Sequence, residues 1–134
     1  ALVKALRALR ISKIVLVTPY LNEIAERERE FFEEVGIHVC FIRNFVQLAG
    51  NLPKGRLTPE QVYREARVAV REAADAEGIV LSCTNMRTIE ILSILEADVG
   101  KPVISSNSAS LWLALKITGI DTNCLSKYGE LFRH

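Results

Sequence analysis

The chain has 134 residues, 49% of them apolar, and 17 basic against 16 acidic side chains for a formal charge of +1. A single domain of this size buries roughly 70% of its unfolded surface, enough for a core without staples, and so small a charge gives no electrostatic case for nucleic acid or an anionic membrane. No apolar run reaches the roughly 18 residues of a membrane span, no signal-peptide pattern opens the chain, and Cys40, Cys83 and Cys124 form an odd, widely spaced trio that argues against a disulfide framework or metal site and for a reducing cytoplasm.

Residues 1–10 carry Leu2, Leu6 and Leu9 at helical spacing, with Lys4, Arg7 and Arg10 toward the other side. The chain opens at Ala1 inside this helical pattern and without an initiator Met, which points to a piece cut from a longer protein. The β-branched run 13–18 (KIVLVT) predicts a strand covered on both faces, stopped by Pro19. Asn22 is read as the N-cap of a helix over 23–35 that turns Ile24, Phe31, Phe32 and Val35 inward and stops at Gly36. Residues 37–42 form the second strand, with His38 as a structural or surface residue and Cys40 as a small core hydrophobe. Residues 43–57 are expected to be a long irregular loop, of the kind that tends to be functional or mobile.

A helix over 58–77 begins with Thr58 as N-cap, Pro59 at the first position and Gln61 closing a capping box. Its packed face is Val62, Ala66, Ala69, Val70 and Ala73, and Gly78 ends it. A strand over 79–82 follows, then a helix over 86–98 stopped by Gly100. The last strand spans 103–105, and Ser106–Asn107 cap a final helix bearing Leu111, Trp112, Leu115 and Ile117. The tail, 119–134, shows little pattern. Strand and helix alternate throughout, which predicts an α/β three-layer αβα sandwich with a four-stranded parallel sheet in order 2-1-3-4, of flavodoxin-like type.

Ligands of such sheets bind beyond the carboxyl ends of the strands. Those ends carry Thr18 and Tyr20, then Asn44 and Asn51, then Ser82, Cys83, Thr84 and Asn85, and finally Ser105, Ser106 and Asn107. The set is hydroxyls, amides and one thiol, with no carboxylate expected among them, and it suits a small anion held by neutral donors. Cys83 ends a strand just before the helix expected from Met86, where a helix amino end favours a thiolate. No G-x-G-x-x-G or Walker sequence follows the first strand, clustered aspartates for magnesium are missing, and no histidine is placed for a Ser-His-Asp triad.

Thr18-Pro-Tyr20 with Glu23, the segment Ser82-Cys-Thr-Asn-Met-Arg-Thr88, the segment Lys101-Pro-Val-Ile-Ser-Ser-Asn107, Trp112 and Tyr128-Gly129 together resemble the C-terminal half of maleate cis-trans isomerases. That family stands with the arylmalonate decarboxylases in the Asp/Glu racemase superfamily. The resemblance spans nearly the whole chain and implies a cofactor-free enzyme of two similar α/β halves, with the substrate between them and one cysteine from each. One cysteine adds to the double bond of maleate, rotation follows, and the other cysteine donates a proton. Cys83 falls on the second, donor cysteine. Tyr20 and Asn51 fall on residues that hold a substrate carboxylate, with Asn44 as the alternative to Asn51. Thr84 and Asn85 fall on the segment that binds the other carboxylate; further candidates are Thr18, Ser82, Ser106 and Asn107. No metal is implied.

The half that would carry the other cysteine is not in these 134 residues. The resemblance therefore implies a missing N-terminal half-domain as partner, or a homo-oligomer that sets Cys83 against Cys83. The expected substrate is a small dicarboxylate. The branches left open are isomerase, racemase and decarboxylase, beside a non-catalytic binding or assembly module that keeps the frame.

Overall fold

A computed structural model describes all residues, 1–134. In chain order the elements are α1 (Leu2–Ala8), β1 (Lys13–Thr18), α2 (Asn22–Glu34), β2 (His38–Asn44), α3 (Asn51–Gly55), α4 (Pro59–Glu72), β3 (Gly78–Leu81), α5 (Leu92–Val99), β4 (Val103–Ser105) and α6 (Ser106–Thr118), with two 3₁₀ segments, Thr122–Tyr128 and Glu130–Arg133, closing the chain. The sheet is wholly parallel in the order β2-β1-β3-β4, the topology expected from the alternation of strands and helices.

Strand periodicity divides the core in two. Val15, Val17, Ile79, Leu81 and Val103 face one way, against Val62, Ala66 and Ala69 of α4 and Leu92 and Leu95 of α5. Ile14, Leu16, Val80 and Ile104 face the other, against Leu6 of α1, Phe32 of α2 and Ala109 and Trp112 of α6. Both faces of the sheet are thus covered, which explains why β1 reads as an unbroken apolar run. Gly78 opens β3 because space runs out: a Cβ there would stand 2.8 Å from Ile11 Cδ1 and 3.3 Å from the Pro102 carbonyl. No helix is long and apolar enough to cross a membrane, and no group of three or more His, Cys, Asp or Glu side chains is placed to hold a metal ion.

Several local expectations are corrected. In α2, Ile24 and Phe31 are 40% and 51% exposed, while Ala25 and Phe32 are buried and Glu28 lies half-buried between them. The inward stripe runs through 25, 28 and 32, the i, i+3, i+7 positions, and so includes a carboxylate. Leu21, not Asn22, is the N-cap and makes no side-chain bond. Helix α4 ends at Glu72, where Ala73 leaves helical geometry; Glu77 instead accepts the Ser12 and Lys13 amides at 2.7 and 3.1 Å. Its capping box at Thr58 and Gln61 is present as expected. Cys40 is only partly buried, at the register irregularity where β2 pairs with β1. Leu111 and Ile117 of α6 are exposed, Leu115 is half-buried, and only Trp112 of that expected stripe is buried.

The helix expected from Met86 begins only at Leu92. The Thr84 and Met86 carbonyls are taken by the Asn107 side-chain amide, at 3.0 and 3.4 Å, which leaves residues 83–91 as turns. The cap of α6 is Ser105, paired reciprocally with Ser108, rather than Ser106–Asn107. The loop after β2 contains α3 and is tied to the end of β1 by Phe45 N–H to the Thr18 carbonyl, 3.1 Å, and Leu48 N–H to the Pro19 carbonyl, 2.8 Å. The tail is also built: Leu131 and Phe132 are buried in the second core layer, and the Glu96 carboxylate accepts the Val103 and Glu130 amides, both at 2.9 Å.

Candidate active site

The carboxyl ends of β1 and β3 meet at Thr18 and Ser82. The Ser82 amide donates to the Val17 carbonyl at 2.9 Å, and the Thr18 hydroxyl donates to the Ser82 carbonyl at 3.2 Å. Both side chains are buried. Cys83, the next residue, is 3% exposed and packs with the core on the α4–α5 face of the sheet, beside Met86 and Ile91. A turn closes directly after it, the Met86 amide donating to the Cys83 carbonyl at 3.2 Å. Because α5 starts at Leu92, the helix expected to begin just after the thiol does not set its amino end there.

Tyr20 supplies what the helix does not. Its amide donates to the Thr18 hydroxyl oxygen at 3.4 Å, and its side chain packs against the core cluster that includes Cys83. Burial, then the neighbouring Cys83 and the charge of Glu28, push the Tyr20 hydroxyl well above the ordinary tyrosine range. The phenol therefore keeps its proton at neutral pH and can donate to sulfur.

Two residues of this cluster were not anticipated. The Glu28 carboxyl accepts a hydrogen bond from the Ser82 hydroxyl, and its other oxygen, Oε2, is buried without a partner. Burial pushes this carboxyl above its usual range, against the opposing hydrogen bond from Ser82. The expectation of a site lined without carboxylates is thus corrected; the signal was its place on the α2 stripe shared with Ala25 and Phe32. The other is Lys54 of α3, 8% exposed, whose Nζ stands 4.7 Å from the centroid of the Tyr20 ring. Nothing in the residue pattern of 43–57 marks it, because α3 is held by tertiary contacts rather than by periodicity.

The other candidates divide. Asn51 opens α3 and is exposed; its carbonyl accepts from the Asn85 side-chain amide at 3.3 Å, and the two line one open depression with Leu52, Gly55 and Arg56. Asn44 turns away, its amide donating to Asn22 Oδ1 at 2.6 Å. Thr84 is exposed, and Thr84, Asn85 and Asn107 border a second depression with Met86, Arg87 and Thr88. Asn107 acts there as a brace on the turn. Ser106 belongs elsewhere, lining a depression with Ala1, Leu2, Val3, Phe31 and Ser110. Arg87 is engaged by Glu90 at 2.9 Å. His38 lies on the surface, with Nδ1 2.9 Å from Glu33.

The rim thus sets a buried thiol at a strand end beside a phenol, with hydroxyls and amides around it. The family model described as arylmalonate decarboxylase matches residues 1–132, and the chain belongs to that family. It is similar to an arylmalonate decarboxylase from Bordetella bronchiseptica, 29% identical over 132 residues, covering 98% of this chain and 55% of that protein. A maleate isomerase from Nocardia farcinica is 31% identical over 117 residues, covering 87% and 45%. Among solved structures, a cysteine-to-serine variant of the N. farcinica maleate cis-trans isomerase with a covalently bound succinylcysteine intermediate superposes with a TM-score of 0.87 at 27% identity, covering 98% of this chain and 53% of that one. The chain thus spans about half the length of the relatives it matches.

Proposed function

We propose that this chain is the C-terminal half of a cofactor-independent, cysteine-dependent isomerase of small dicarboxylates, of the maleate-to-fumarate type, with Cys83 as proton donor. The observation that carries this reading is the placement of the Tyr20 side chain beside the buried Cys83 thiol at the end of β3. In this reading a substrate carboxylate is held by Tyr20 and Asn51 and the other by the Thr84–Asn85 turn. Thiol Cys83 passes its proton to the substrate carbon, and the thiolate left behind is stabilised by the Tyr20 hydroxyl, which gives up no proton of its own. Acid and base on opposite faces of one carbon need two groups. The second comes from a partner half-domain or from a second copy of this chain. The three free thiols suit the reducing cytoplasm as the setting.

A second reading is supported by the family match and the B. bronchiseptica relative. In it a C–C bond of a 2-substituted malonate breaks, carbon dioxide leaves, and the carbanion takes its proton from Cys83. Both readings give Cys83 the same task. Proton NMR in D₂O with maleate and with an arylmalonate, for the full-length protein with both halves and for its Cys83→Ser variant, separates them: isomerisation or decarboxylation in the full-length protein and a loss of at least about a hundredfold in the variant is expected. Equal turnover without the thiol would contradict both, and binding of diacids without turnover or exchange would make the chain a binding module.

A further inference from the structure

Lys54 holds a charge that nothing in the chain neutralises. Its side chain is 92% buried by the residue's 8% exposure, no carboxylate pairs with it, and its ammonium lies over the face of Tyr20, 4.7 Å from the ring centroid. The stem of Lys54 is buried while its Nζ keeps solvent access, so an anion entering from solvent can reach the ammonium at the tyrosine face. The Glu28 carboxyl accepts from Ser82 and makes no ion pair with Lys54. Tyr20 links the two chemistries, with Lys54 over its ring and Cys83 in the core cluster it packs against. Helix α3, which delivers Lys54, also supplies Asn51, and the Phe45 and Leu48 bonds to Thr18 and Pro19 pin its loop to this rim.

We propose that Lys54 binds a carboxylate of the substrate and makes the site selective for dianions over monoanions and neutral acids. This deepens the function proposed above and rests on it for the identity of the reaction, although the charge preference itself stands on the position of Lys54. Neutral donors on the Thr84–Asn85 turn can orient one carboxylate of a diacid; the ammonium beside Tyr20 takes the other.

The test uses two alkylating probes of nearly the same size, iodoacetate and iodoacetamide, on the intact chain, with labelling of each cysteine followed by peptide-resolved mass spectrometry. Beside Lys54, the anionic probe gains at Cys83 relative to the neutral one. In Lys54→Met the iodoacetate-to-iodoacetamide rate ratio at Cys83 is expected to fall roughly fivefold, the scale of one nearby charge at partial screening, and in Lys54→Arg to stay within about twofold. The ratio at exposed Cys124 serves as the internal reference. An unchanged ratio in Lys54→Met, or an equal fall in Lys54→Arg, would overturn the proposal. Slow labelling of Cys83 by both probes would count against its proton-donor role, and the ratio is still read at longer times.

Discussion

Ser82 donates its hydroxyl proton to Glu28, joining α2 to the end of β3 at the residue that precedes Cys83. The bond holds a carboxyl group in a buried position with one oxygen unpartnered. Its energetic consequence is specific to pH.

Burial raises the Glu28 carboxyl above its ordinary value of 4.5, so the folded state binds this proton more tightly than the unfolded chain does. The corresponding stability is fully present below about 4.5 and is lost as pH rises through the raised folded value. Glu28→Gln keeps an acceptor for Ser82 and cannot ionise. Its melting temperature relative to the parent is expected to climb as pH is taken from below 4.5 to 7. A difference that stays flat, or narrows with rising pH, contradicts a protonation-linked role for this carboxyl.

Tyr20→Phe keeps the ring beneath Lys54 and removes only the hydroxyl, which the proposed function sets beside the Cys83 thiolate. The thiolate then loses a charge-assisted donor, and iodoacetamide labelling of Cys83 at pH 8 should slow by about tenfold. Labelling of Cys40 and Cys124 should not change. An unaltered Cys83 rate would separate the phenol from the chemistry of the thiol.

These two side chains also mark what the residue pattern could reveal. Tyr20 and Cys83 were legible because both end β-branched runs, and an α/β alternation sends strand ends to one rim. The sheet order and the Thr58–Gln61 capping box were legible for similar local reasons. Glu28 was hidden by attention to the most apolar residues of α2, when the buried stripe runs through 25, 28 and 32. Lys54 and the turn after Cys83 depend on contacts far apart in sequence, Leu48 with Pro19 and Asn107 with Thr84 and Met86. No local period encodes them. The tail is the same case, since Leu131 and Phe132 are fixed by the second core layer and by Glu96.

Glu96→Ala tests that last connection. It leaves the Val103 and Glu130 amides without their acceptor, at a cost of about 1.5–3 kcal/mol for hydrogen bonds to a charged group. Urea unfolding should show the loss, and amide exchange at Glu130 should quicken. Unchanged exchange at Glu130 would mean that the apolar residues of the tail suffice to hold it.

Gly78→Ala examines the start of β3. The added methyl would meet Ile11 Cδ1 at 2.8 Å and the Pro102 carbonyl at 3.3 Å, and overpacking of this kind costs about 1–3 kcal/mol. Chemical denaturation with an unchanged midpoint would show that Ile11 yields freely.

The central claim is that Cys83 works at a dicarboxylate-binding rim, and protection of that thiol tests it most directly. Peptide-resolved alkylation of the three cysteines is followed with and without maleate or malonate. The account predicts that the diacids slow labelling of Cys83 and leave Cys124, which is exposed and outside the cluster, unaffected. Equal rates at Cys83 with and without saturating diacid would contradict it.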